Sequence, residues 1–123
     1  MEECCCGKNQ TTTLIYACSG AANTGLLADQ VARRLARDGI GKMTCLAAMG
    51  AGLSGFLESA RTVDENLVLD GCPVACGKAI FEKAGIPFRH HMMTEFGVEK
   101  GKTPITEEVI ERVAGALKKV KVG

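Results

Sequence analysis

The stretch Leu14-Ile15-Tyr16-Ala17-Cys18-Ser19-Gly20-Ala21-Ala22-Asn23-Thr24 decides the fold. Its first four residues form a short apolar, partly β-branched run behind polar threonines, the mark of a buried strand. Cys18-Ser19-Gly20 breaks the run. From Thr24 to Asp38, Leu27, Val31 and Leu35 recur every four residues with alanines beside them, while Arg33, Arg34 and Arg37 fall on other faces, so an amphipathic helix follows the strand. Gly39 and Gly41 are the candidate stops, glycine being the residue that adopts the left-handed conformation closing a helix.

Working outward, the same alternation repeats. Met43-Thr44-Cys45-Leu46-Ala47 reads as a second strand, and Gly50, Gly52 and Gly55 as the loop after it, with a short helix around Leu53, Phe56, Leu57 and Ala60. A third strand, Asn66-Leu67-Val68-Leu69, ends in Asp70-Gly71-Cys72-Pro73, and a helix from near Cys76 to Ala84 is closed by Gly85. Arg89 to Phe96 reads as a fourth strand. The last helix starts near Thr103-Pro104 or at Thr106, both threonines being N-cap candidates, with Val109, Ile110, Val113, Leu117 and Val120 as its apolar stripe. Glu107 and Glu108 lie in its first turn and Lys118, Lys119 and Lys121 in its last, complementing the helix dipole.

Strands alternating with helices predict an α/β fold, a three-layer Rossmann-like sandwich on a mainly parallel sheet of about four strands. One domain over residues 14–123 is expected, with residues 1–13 as a mobile cysteine-rich tail.

Composition narrows the function. Apolar residues at 46% and charged residues at 24% describe an ordinary folded chain. Fifteen Lys and Arg against fourteen Asp and Glu leave a charge of +1, and Trp is absent, so neither a phosphate backbone nor stacked bases have an obvious receptor. The start Met-Glu-Glu-Cys-Cys-Cys-Gly-Lys lacks the basic and apolar regions of a secretory signal, and the longest weakly polar stretch, Cys45 to Leu57, falls short of a membrane span. A cytoplasmic protein acting on neither membrane nor nucleic acid is expected.

Seven cysteines cannot all pair within one chain, and in a reducing compartment a cysteine-rich chain points to metal or thiol chemistry. Cys18 to Cys45 is a step of 27 residues and Cys45 to Cys72 is another 27, close to one strand–helix unit. Each cysteine therefore falls at or near the end of a strand, and parallel strands present their carboxyl ends at one edge, where ligands sit. Cys76, across a Pro-containing turn from Cys72, supplies a fourth sulfur.

Four thiolates from Cys18, Cys45, Cys72 and Cys76 match the ligand set of a zinc site, and equally that of an iron–sulfur cluster. His90 and His91 are candidate replacements should Cys45 face the core, against a plainer reading as strand residues facing a helix or solvent. Lys42 and Lys78 are candidate charge-balancing neighbours.

These residues resemble the DGC domain family, named for the motif that stands here as Asp70-Gly71-Cys72. The resemblance extends over Cys18-Ser19-Gly20, Gly41-Lys42-Met43 with Cys45, Cys72-Pro73 with Cys76, and Thr94-Glu95-Phe96-Gly97 before Lys100, roughly Leu14 to Lys100. It implies zinc on Cys18, Cys45, Cys72 and Cys76, and neither substrate nor pathway; four sulfurs leave no coordination position for water or substrate, so a structural or regulatory metal is expected ahead of catalysis.

Rival chemistries use the same residues. The turn at Cys18 is similar to the loop in which low-molecular-weight phosphatases hold a nucleophilic cysteine at a helix N-terminus, but Thr24 stands where that pattern requires an arginine to clamp the anion. A thiol-dependent redox enzyme with Cys18 as nucleophile and Cys72 and Cys76 as resolving thiols needs no such clamp. Cys4, Cys5 and Cys6 either deliver metal to the site or belong to a tail without a fixed role. Asp70 either takes part in the chemistry or only accepts hydrogen bonds from turn amides. Gly50 to Gly55 lacks the lysine and spacing of a phosphate-binding loop.

Overall fold

The computed structural model describes residues 12–122. Four strands, β1 (Thr13–Ala17), β2 (Lys42–Met43), β3 (Glu65–Asp70) and β4 (Arg89–Met92), form one sheet in the order β2-β1-β3-β4, and every neighbouring pair runs parallel. Among the described residues five helices cover it: α1 (Asn23–Arg37), α2 (Leu46–Gly50), α3 (Ser54–Thr62), α4 (Cys76–Ala84) and α5 (Glu107–Val122). The α/β sandwich read from the sequence is the one observed. Among the described residues no helix is long and apolar enough to cross a membrane.

Alternation along the strands builds two cores. Ile15, Ala17, Leu67 and Leu69 point to one face, where Leu27, Val31 and Leu35 of α1 and Ile110, Val113 and Leu117 of α5 pack on them. Tyr16 and Val68 point to the other, against Leu46 and Met49 of α2, Ala60 of α3 and Phe81 of α4. That face also buries one polar bond: the Tyr16 hydroxyl donates to Asn66 Oδ1 at 2.9 Å, and the Asn66 amide donates to the carbonyls of Ala60 and Pro87 at 2.8 and 3.2 Å. Asn66 thereby ties the end of α3 to the approach to β4.

The sequence reading is corrected at several places. Thr13 opens β1, one residue before the expected domain boundary, and the Thr12 hydroxyl donates to Asp64 at 2.8 Å; the rest of the expected tail lies outside the described residues. The second strand stops at Met43 instead of Ala47, because Leu46, Ala48 and Met49 bury themselves from a short helix. The fourth strand stops at Met92 and turns into a 3-10 helix, Met93–Phe96. Helix α1 ends as expected at Gly39, whose φ is 81°.

Two helical residues also differ from expectation. Val120 is 47% exposed and lies off the apolar stripe. Arg34, placed by its charge on an outer face of α1, is buried instead and pairs with Glu107 and Glu111. It bolts α1 to α5, since its side chain is buried while its guanidinium meets two carboxylates of α5. Thr106 caps α5, its carbonyl accepting from Ile110 and its hydroxyl from Val109.

Candidate functional site

The chain leaves β1 toward β2 on one side of the sheet and leaves β3 toward β4 on the other. Such a reversal opens a crevice between the carboxyl ends of the two central strands. Cys18 follows β1 directly and its amide donates to Leu69 O at 2.9 Å, prolonging the β1–β3 ladder. Cys72 follows β3 after one glycine, and Cys76 is the first residue of α4. All three line one pocket of about 280 Å³, together with Gly20, Ala22, Thr24 and Lys100.

Each residue of Asp70-Gly71-Cys72 has a separate physical task. Asp70 is 1% exposed. Its Oδ1 accepts the Gly77 amide at 2.8 Å, and its Oδ2 accepts the Lys78 amide at 3.0 Å and lies 2.7 Å from His90 Nε2. Gly77 and Lys78 lie in the first turn of α4, whose own cap residue, Ala75, is left-handed (φ 54°) and makes no side-chain cap. Asp70 is thus a remote N-cap, an anion placed where helix amides converge.

Gly71 lets α1 come close: a Cβ there would stand 2.8 Å from the Thr24 carbonyl carbon and 2.9 Å from the Gly25 amide. Cys72 then presents its sulfur, with Lys100 Nζ 3.5 Å away.

Lys100 arrives by a route that sequence reading missed. Asn23, at the start of α1, accepts the Gly101 amide on Oδ1 at 2.6 Å and donates from Nδ2 to the carbonyls of Glu99 at 3.0 Å and Thr103 at 2.8 Å. Gly101, with φ 83°, makes the tight loop this grip requires. One asparagine thereby fixes a loop 78 residues away in sequence, and no local pattern marks that pairing. Of the lysines expected nearby, Lys78 contributes its backbone amide to Asp70, while Lys42 pairs with Leu14 at the far end of β1.

Cys45 stands apart. It is exposed, at the N-cap position of α2, and lines an adjoining groove with Cys18, Cys76, Met43 and Ile80. Cys18 and Cys76 border both cavities. Among the described residues, no three His, Cys, Asp or Glu side chains stand close enough to hold an ion as placed. His90 is engaged with Asp70, and His91 Nδ1 lies 3.2 Å from Glu95 Oε1. Cys4, Cys5 and Cys6 lie outside the described residues.

Charge around Cys18 is lopsided. Burial, then Asp70 and the neighbouring Cys76 and Cys72, push its thiol from an ordinary 9.0 up to about 11. At neutral pH only about one molecule in ten thousand carries that thiolate. The Glu95 carboxylate meets an opposing pair of effects: burial works against its charge, but the Met92 amide and His91 hold it below the usual range.

The family model described as DGC domain matches residues 14–117. The chain is similar to the Anaerobic and virulence modulator AnvM of Pseudomonas aeruginosa, with 36% identity over 88 residues, covering 71% of this chain and 67% of that protein. No solved structure matches it.

Proposed function

The chain belongs to the DGC domain family, and on that footing we propose that it is a zinc-binding regulatory protein whose ligands are Cys18, Cys72 and Cys76, with Cys45 as the fourth. The convergence of Cys18 with the sequence-distant pair Cys72 and Cys76 on one crevice carries this reading. Their donor chemistry fits the group: soft sulfurs select zinc or iron–sulfur chemistry over hard cations. Besides burial, the groups that raise the Cys18 pKa are Asp70, Cys76 and Cys72, a carboxylate and two thiols whose ionised forms a dication would neutralise. Side-chain rotation at Cys72 and Cys76 is needed to close the set, and Cys45 must swing in from the adjoining groove.

Held by three cysteines, zinc would keep an open position; with Cys45 added, it would have none and would act on structure rather than as a Lewis acid. The similar protein is called a modulator, which favours the second case. The pairing of Cys18 with Cys76 also suits a disulfide switch, but a thiol at about 11 is a poor attacking nucleophile at neutral pH. Metal analysis of protein purified without air tests the reading. It expects about one zinc per chain bound through these cysteines, and metal-free protein with a fast-reacting Cys18 would overturn it.

A further inference from the structure

The crevice has lining beyond its cysteines. Part of its wall is the turn from Gly20 to Ala22 and the first residues of α1, and Lys100, whose Nζ lies 3.5 Å from Cys72 Sγ, stands beside it. Helix α1 has 15 residues, starts after Ala22 without any side-chain cap, and carries no acidic residue in its first turn. Its first intrahelical bonds are made by the amides of Gly25 and Leu26 to Ala22 O, so the N–H groups of Asn23 and Thr24 precede the ladder.

Two further observations point to a ligand. Thr24 lines the same pocket and is 1% exposed, and its hydroxyl has no hydrogen-bond partner. A buried hydroxyl without a partner is costly, and an acceptor bound in the pocket that Thr24 lines would relieve that cost. Lys100 stands at the rim, held there by the three bonds of Asn23. Asp70, the one carboxylate among the lining residues, has both oxygens engaged, by the Gly77 and Lys78 amides and by His90. The remaining wall is small and apolar: Ala21, Ala22 and Val74.

We infer that this part of the crevice binds a small organic carboxylate, its charge held by Lys100, the α1 N-terminus and the Thr24 hydroxyl, and its short apolar body lying against Ala21, Ala22 and Val74. A helix N-terminus and a lysine supply the positive field, and the hydroxyl supplies a directed donor. Inorganic phosphate, which needs many donors on all sides, fits the apolar wall less well. The inference goes beyond the metal reading and rests on different side chains.

The test is a titration of the isotope-labelled full chain followed by two-dimensional NMR, with butyrate, butyramide and inorganic phosphate as probes, on zinc-free and zinc-loaded protein. Butyrate should saturate with shifts at the amides of Ala22 to Gly25 and at Lys100. Butyramide should bind about tenfold more weakly or less, and Lys100→Met and Thr24→Val should each weaken butyrate several-fold, while Thr24→Ser restores it. Equal binding of butyramide, tighter binding of phosphate at these amides, or shifts confined to other surfaces would overturn the inference. A chain that holds zinc but fails the butyrate titration would sink this inference alone.

Discussion

Replacing Asp70 with alanine is the sharpest perturbation the fold offers. The carboxylate is almost fully buried and accepts two amides of α4 at 2.8 and 3.0 Å, with His90 at 2.7 Å. Its loss strands both amides, and each buried donor left unpaired costs about 1–3 kcal/mol. The Gly77 amide is buried, but the Lys78 amide is only part-buried and His90 is partly exposed, so water replaces part of the loss and the expected cost is about 2–4 kcal/mol. Against a total stability of about 5–15 kcal/mol, that lowers the melting temperature by roughly 10–15 °C for a domain of this size. Asp70→Asn keeps one acceptor and opposes a second donor with its NH₂, so it should lose about half as much. Urea unfolding of reduced, metal-free protein measures the stability, and hydrogen exchange at Gly77 and Lys78 locates the effect. A change within about 0.5 kcal/mol, with exchange at those amides unaltered, would refute the capping role.

Other outcomes follow from single residues. Gly25→Ala places a Cβ 2.5 Å from the Gly20 amide nitrogen and should fail to fold or lose several kcal/mol, whereas Gly20→Ala meets nothing within 4 Å and should stay within about 0.5 kcal/mol, as thermal melts of both will show. Asn23→Ala removes three hydrogen bonds to the 99–103 loop; it should cost about 1–3 kcal/mol and speed amide exchange at Gly101. Cys18, with a folded value near 11 against an ordinary 9.0, contributes stability that is full below pH 9 and declines as pH rises toward 11, because the unfolded thiol ionises first. In zinc-free protein its alkylation, followed by peptide mass spectrometry, should reach half-maximal rate near pH 11; a midpoint at or below 9 contradicts the assigned environment.

The first strand and first helix were legible because burial on one face leaves a period that sequence displays directly. Met43 to Ala47 was misread for a physical reason: a short apolar run buried in a helix and one buried in a strand carry the same residues, and only the packing of Leu46 and Met49 beneath the sheet separates them. Arg34 was misplaced because charge suggests solvent, while its two carboxylate partners come from α5.

At the site, Cys18 and Cys72 were legible from strand-end spacing and Cys76 from its place four residues after Cys72 across a Pro-containing turn, and the three line one crevice. Cys45 was drawn into the same set by an equal step of 27 residues, yet the early end of β2 leaves it in the next groove. Asp70 was legible only as a turn acceptor. That it caps α4 from another element, and that Asn23 sets Lys100, depend on contacts between distant segments that no local pattern encodes.

The most direct measurement of the central claim is zinc stoichiometry, with X-ray absorption at the zinc edge, on anaerobically purified chain and on Cys18→Ser, Cys45→Ser, Cys72→Ser and Cys76→Ser. The account predicts about one zinc per chain with sulfur neighbours at roughly 2.3 Å. Serine at position 18, 72 or 76 should cost most of the metal, and Cys45→Ser should replace one sulfur with a lighter atom. Zinc content and sulfur count unchanged across all four variants would place the metal elsewhere and contradict the account.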